Sequence, residues 1–421
     1  MSGVTFDRLQ PPDRGDIIRP EEGRLLVPNE PVIPYIEGDG IGPEVVLAAR
    51  RVLDSATKRA YGGRRRIVWF KVKAGREAEE EYGQLLPDDV FEAIRHYVVA
   101  LKGPLTTPIG GGYRSLNVTL RQRLDLYANV RPIFWIPEVP SPLKEPWKVD
   151  LVIFREATED VYAGIEWSQG SDEVRRVLRF LKRELGASLR DDSGIGIKPI
   201  SEFASKRLVR KAISYALDRG RKSVTLMHKG NIMKFTEGAF MQWGYEVASE
   251  DFADDVITER DLYDRFDGKA PKGKVVMKDR LADNMFQQLL TRTEEYDVIA
   301  TTNLNGDYIS DAAAGLVGGL GVAPGANIGD YMALFEPIHG SAPKYSGMDK
   351  VNPTAEILAG AMLLEHLGWT EAAAMVSEGV KRAVQAKEVT YDLARKIEGA
   401  AEVGTQEFSE SVVEKIQALE P

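Results

Sequence analysis

The sequence predicts an α/β fold that is not of the Rossmann type, and three observations carry that expectation. Short apolar runs of strand type alternate with segments of helical period from Pro31 to near the C-terminus, the pattern of strands covered by helices. A chain of 421 residues is long enough for two or three domains with well-buried cores. The one glycine turn that looks like a dinucleotide fingerprint, Gly38-Asp39-Gly40-Ile41-Gly42, has its third glycine misplaced. The strand after it, Ile67 to Val72, ends in Lys73-Ala74-Gly75 with no acidic residue for a ribose. The turn is therefore read as tight packing of a helix on a sheet.

Composition narrows the chemistry. The net charge of −9 argues against a general nucleic-acid binder. No apolar run of about 18 residues predicts a membrane span, and Met1 to Arg24 lacks the apolar core of a signal peptide. Zero Cys excludes disulfides and thiolate sites, and only four His make a His-rich zinc site an unfavoured reading. The expectation is a cytoplasmic protein whose catalysis uses carboxylates, Lys, Arg and Tyr.

In chain order, Pro31 to Glu37 reads as a buried strand, and Pro43 opens a helix that Gly62-Gly63 ends. Helix Asp88 to Tyr97 leads to strand Val98 to Leu101 and then to the loop Lys102 to Asn117, rich in Gly and Pro. Ser115 is placed to cap a helix burying Leu116, Leu120 and Leu124. Arg121 lies on its other face. Arg131 falls in strand Tyr127 to Ile136, and Arg155 follows strand Leu151 to Phe154. Each arginine alone reads as a solvated charge; three at element ends make a polyanion cup. From Asp160 to Ser201 two strand-like pieces, Tyr162 to Trp167 and Gly194 to Ile200, flank helix Asp172 to Leu185. A module this small predicts pairing with a second copy. Helix Phe203 to Leu217, strand Ser223 to Met227 and helix Asp279 to Thr291 follow.

The chain is organised around Asp297 to Asp311. A strand, Val298 to Ala300, runs into the polar turn Thr301 to Gly306. A helix starting near Asp307 would put Asp307 and Asp311 on one face. Two adjacent carboxylates at the carboxyl end of a strand suit a hard divalent cation, Mg²⁺ or Mn²⁺, with Asp283 a third candidate ligand. Taken alone, such a pair more often simply begins a helix. Further on, strand Met332 to Phe335 leads to His339-Gly340-Ser341-Ala342-Pro343-Lys344-Tyr345, a loop suited to a nucleotide. A final helix, Val389 to Ile397, puts Tyr391 and Arg395 on one face.

Arg114-Ser115-Leu116-Asn117, His228-Lys229-Gly230-Asn231-Ile232-Met233-Lys234 and Asn303-Leu304-Asn305-Gly306-Asp307-Tyr308-Ile309-Ser310-Asp311 resemble the signatures of the isocitrate/isopropylmalate dehydrogenase family, most closely its prokaryotic NADP-dependent isocitrate branch. The resemblance covers about Pro31 to Arg395. It implies a large α/β domain (1–126 and 318–421), a small α/β domain (127–159 and 204–317) and a dimerisation clasp (160–203). It implies a homodimer with shared active sites, Lys229 and Asp283 coming from the neighbour. Ser115, Asn117, Arg121, Arg131 and Arg155 would bind isocitrate, with Lys102 nearby. Asp283, Asp307 and Asp311 would hold Mg²⁺ or Mn²⁺, and Tyr162 and Lys229 would move protons. Thr106, the loop His339 to Tyr345, Asn352, Tyr391 and Arg395 would hold the cofactor.

The activity so implied is oxidative decarboxylation of isocitrate to 2-oxoglutarate and CO₂, a step of the tricarboxylic acid cycle. In the isopropylmalate branch of the family an apolar residue stands where this chain has polar Ser115 and Asn117, so the resemblance favours isocitrate over 3-isopropylmalate; a related β-decarboxylation, of homoisocitrate for example, or the same reaction with NAD, is the alternative. Lys344, Tyr345, Tyr391 and Arg395 favour NADP over NAD, because they suit a 2′-phosphate. His228 and His339 read as packing or adenine-stacking groups rather than as bases.

Overall fold

An eleven-stranded sheet is the frame of the computed structural model, which describes residues 6–107 and 114–420. From edge to edge its strands are Val256–Thr258, Val275–Leu281, Ser223–His228, Val298–Thr301, Asp150–Glu156, Ala128–Phe134, Pro324–Ile328, Ala333–Pro337, Val99–Lys102, Val32–Ile36 and Val68–Lys71. The first five run parallel, the last four run parallel, and antiparallel pairings join the two blocks through Ala128–Phe134 and Pro324–Ile328. The blocks therefore run in opposite senses, which the mostly parallel sheet of a dinucleotide-binding fold does not do. Strands buried on both faces read as continuous apolar runs; Leu151 to Phe154 and Val298 to Ala300 are of this kind and are fully covered.

Helices Gly42–Tyr61, Thr354–His366, Thr370–Gln385 and Thr405–Gln417 pack together beside one block. Glu202–Asp218 and Glu237–Glu250 cover the other. Segment 160–203 leaves the sheet. Its helix Asp172–Leu185 buries little beyond Val174 and Leu178 and leaves Phe180 and Leu185 exposed.

Several boundaries differ from expectation. Tyr162 lies on a 3₁₀ turn, Asp160–Ala163, and only Glu166–Trp167 and Ile195–Gly196 pair as strands there. Asp279 to Leu281 end a strand, with the helix starting at Ala282. This strand carries Lys278, Asp279 and Arg280 at its exit, so charge hid its apolar start. Helix Asn303–Leu316 begins four residues before Asp307. Pro324–Ile328 is a strand inside a glycine-rich run, and Val389 to Ile397 holds only a short helix, Tyr391–Ala394. Helix Thr405–Gln417 was not anticipated.

The Gly38 to Gly42 turn packs as expected. Gly40 has φ +60°, and a Cβ there would sit 2.0 Å from the Ser341 carbonyl oxygen. The Ile41 amide donates to that same oxygen at 2.9 Å. The turn thus carries the His339 to Tyr345 loop, a packing use of glycine.

Candidate active site

Three arginines meet where the two blocks join. Arg155, at the end of its strand, lies opposite Asn129, which lies opposite Asn327, so the three side chains share one face of the sheet. Arg131, two residues after Asn129, joins them. Helix Leu116–Arg123 brings Arg121, with the Ser115 hydroxyl accepting from the Val118 amide at 3.4 Å as its N-cap. Arg121, Arg131 and Arg155 are buried, Arg155 at 1% exposure, so the solvated reading of each is overturned. The remainder of the expected Gly-rich loop, Pro108 to Tyr113, lies outside the described residues.

Neutralisation is local and comes from both sides. Arg155 donates to Asp307 and, through Nε, to Asn303 at 2.9 Å. Arg131 donates to Ser310 and lies 3.3 Å from Asp311. The Tyr162 hydroxyl donates to Asp307 at 2.8 Å, and the Arg155 guanidinium lies over its ring at 4.9 Å. Burial works against the charge of Asp307, but Arg155, the Tyr162 hydrogen bond and Arg131 outweigh it and hold that carboxyl below its usual value. Burial keeps Asp311 above its usual value despite Arg131. Burial pushes the Tyr162 phenol up to about 12, with Asp307 adding to the effect, so it stays protonated at neutral pH.

Gly306 lets this happen. A Cβ there would lie 2.5 Å from Arg155 Cγ and 2.6 Å from its Cβ. Gly306→Ala is expected to cost about 1–3 kcal/mol by overpacking, read as a lower urea midpoint. An unchanged midpoint would show that Arg155 can move aside freely.

On the other side, Arg121 donates to Asn327 Oδ1 at 2.7 Å and to Glu336 at 3.0 Å, while Lys102 Nζ lies 2.7 Å from Glu336. Asn327 and Glu336 were not singled out from the sequence; a polar Asn and Glu in strand-type runs were the available signal. Burial opposes ionisation of Glu336, yet Lys102 and Arg121 hold its carboxyl far below the usual range. Its contribution to stability is therefore present above the ordinary carboxylate value and is lost as pH falls through the depressed one. Glu336→Gln should cost about 3 kcal/mol or more at pH 7, and the gap to wild type should narrow below about pH 4.5. Urea unfolding at the two pH values checks this; a gap that widens in acid would contradict it.

A cavity of about 90 Å³ is lined by Asn117, Arg121, Arg131, Glu336 and His339. Asn117 Oδ1 and Arg131 Nε are buried there without a hydrogen-bond partner among the described residues. A donor and an acceptor left unpaired beside clustered cations suit an anionic ligand with hydroxyl and carboxylate oxygens.

The expected nucleotide loop meets a second group. Thr106 Oγ1 hydrogen-bonds Ser341 Oγ, and the Thr106 amide donates to Asp39 at 2.6 Å. Tyr345 and Tyr391 stack with centroids 5.7 Å apart. Lys344 lies 4.7 Å from the Tyr345 ring, and Arg395 5.7 Å from Tyr391. Lys350, absent from the sequence reading, lies 4.8 Å from Tyr391. Among the described residues none of these three cations forms an ion pair, so the group fits a phosphate. Ala342, with φ +36°, Pro343 and Gly340 form the bend between the two parts. Asn352 accepts from the Thr354 amide and donates to Asp392. The His339 ring lies 3.0 Å from the Gly340 carbonyl, and His228 pairs with Asp279 at 3.1 Å.

Lys229 and Asp283 do not join the cluster. They pair with each other at 2.5 Å, half-buried and exposed respectively. Asp307 and Asp311 supply hard oxygen donors that fit Mg²⁺ or Mn²⁺. Among the described residues, however, no group of three acidic or imidazole ligands forms within the chain.

The model of the isocitrate/isopropylmalate dehydrogenase family matches residues 32–412. A protein of Archaeoglobus fulgidus named isocitrate dehydrogenase (NADP) is 61% identical over 99% of this chain and 100% of its own. One of the same name from Haloferax volcanii is 56% identical over 99% and 100%. The crystal structure of isocitrate dehydrogenase from Methylococcus capsulatus superposes with a TM-score of 0.76 at 38% identity, covering 92% of this chain and 99% of that one.

Proposed function

The chain belongs to the isocitrate/isopropylmalate dehydrogenase family, and from that premise we infer that it oxidatively decarboxylates isocitrate to 2-oxoglutarate and CO₂ with NADP. One observation carries the reading: three arginines are buried together, of which Arg155 and Arg131 engage Asp307 and Asp311, and the Tyr162 hydroxyl donates to the same Asp307. Isocitrate brings three carboxylates, and Arg121, Arg131 and Arg155 offer preorganised forks for them. Ser115 and Asn117 bind the carboxylate furthest from the reacting carbon. Tyr162, protonated at neutral pH, hands its proton to C3 once CO₂ has left. Lys229 takes the proton of the substrate hydroxyl. Asp307, Asp311 and Asp283 hold the divalent cation, and Lys344, Tyr345, Lys350, Tyr391 and Arg395 hold the 2′-phosphate of NADP. Thr106, His339 to Pro343 and Asn352 line the rest of the cofactor. When bound, the cation polarises the substrate hydroxyl and carboxylate, and the nicotinamide accepts the hydride.

The site as proposed is completed by a second copy of the chain, which supplies Lys229 and Asp283. The separation of that pair from the Tyr162–Asp307 cluster supports this, as do the apolar side chains left exposed on segment 160–203. The proposed division into a large domain (1–126 and 318–421), a small domain (127–159 and 204–317) and a clasp is supported by the two oppositely directed strand blocks. No described helix is long and apolar enough to cross a membrane; a cytoplasmic place of action rests on the cysteine-free composition.

Formation of NADPH on adding isocitrate and Mg²⁺, absent without the metal, tests the function. The double variant Lys344→Asp/Tyr345→Ile should lose about 10²-fold in kcat/KM with NADP, the worth of two charge-assisted contacts. With NAD it should change little. Equal losses with both cofactors would remove the phosphate assignment.

A further inference from the structure

Asp160 and Glu237 are fully buried carboxylates, 0% exposed, and the catalytic reading uses neither. Asp160 accepts from the Val161 amide at 2.6 Å and the Leu304 amide at 3.0 Å. It adopts φ +72°, a left-handed backbone at the start of the 3₁₀ turn that bears Tyr162. Glu237 accepts from the Lys229 amide at 2.9 Å, from Asn305 Nδ2 at 2.7 Å and from Thr302 Oγ1 at 2.8 Å. The two acids thus fix the Tyr162 turn, the Lys229 turn and the first turn of the Asp307/Asp311 helix.

One cation serves both. Lys198 Nζ lies 2.6 Å from Asp160 and 3.0 Å from Glu237, with its side chain 17% exposed. Among the described residues no other Lys, Arg or His pairs with either. Lys198 comes from segment 160–203, outside the sheet. We propose that Lys198 is a positioning residue: its ammonium, clamped between Asp160 and Glu237, sets the Tyr162 turn and the Lys229 turn in register with the Asp307 helix. The inference rests on the proposed roles of Tyr162 and Lys229. Without the cation two buried negative charges face each other unpaired. The backbone amides they hold then shift, and a displacement of about 1 Å at reacting groups costs on the order of 10²-fold in rate.

The test is steady-state kinetics of the assembled enzyme with isocitrate, Mg²⁺ and NADP. Lys198→Gln should lower kcat about 10²-fold while KM for NADP stays within about threefold, because the cofactor group lies on other loops. Lys198→Arg should recover most of the loss. Arg260→Met, a control at an exposed surface cation of helix Glu259–Phe266 paired with Asp264, should leave kcat unchanged. If Lys198→Gln does not fold, the double variant Lys198→Gln/Glu237→Gln restores the net charge of the trio. It should recover the thermal midpoint but not kcat, since a Gln amide cannot accept from every donor that Glu237 holds. Wild-type kcat in Lys198→Gln, or recovery of both midpoint and kcat in the double variant, would overturn the inference while the proposed function stood. A wild-type enzyme that reduces no NADP would overturn both.

Discussion

Lys229→Met and Tyr162→Phe should each reduce turnover by about 10³-fold, the usual worth of a positioned proton-transfer group, and mixing the two inactive proteins should restore activity. Denatured together and refolded, they assort at random. About half of the dimers are mixed, and in each one site receives an intact Tyr162 from one copy and an intact Lys229 from the other. The expected recovery is about a quarter of wild-type turnover for a two-fold dimer. Recovery below about a hundredth would mean that both residues act within a single chain. The prediction follows from geometry: Lys229 is occupied by Asp283, while Tyr162 points at Asp307. Asp283→Asn should complement Asp307→Asn in the same way.

Asp307→Asn alone is expected to lower kcat/KM for isocitrate by about 10³-fold, equivalent to roughly 4 kcal/mol. The carboxylate has three duties here. It neutralises Arg155, accepts from Tyr162 and, as proposed, offers charged oxygen to a cation. An amide keeps the shape and an acceptor for Tyr162 but loses the negative charge that the other two need. NADPH binding, followed by its fluorescence, should change by less than about threefold, since Lys344 and its neighbours are on another loop. A parallel loss of NADPH binding would mean that the variant has disturbed the fold instead.

Local signals in the sequence were reliable guides. Ser115 caps its helix, Asp172–Leu185 has the bounds its pattern predicts, and the Gly38 to Gly42 turn packs as expected. What could not be read was set by partners far along the chain. Asn303 to Gly306 look like a loop, yet they are helical because Glu237 and Asp160, 68 and 144 residues away, satisfy Asn305 and the Leu304 amide. Glu336 does not stand out in the sequence because Arg121, its counter-ion 215 residues earlier, is invisible to local pattern. Single-residue chemistry identified the arginines. Their burial came only from the two strands crossing between blocks.

Asp307 and Asp311 are already engaged by Arg155 and Arg131. If this pair holds the cation as proposed, a metal arriving alone must compete with two guanidinium groups for it. A tricarboxylate arriving first would draw those guanidinium groups to itself and release the aspartates. Each guest therefore prepares the pocket for the other, so the affinity for Mg²⁺ measured by titration should rise when isocitrate is present, and that for isocitrate should rise by the same factor with Mg²⁺.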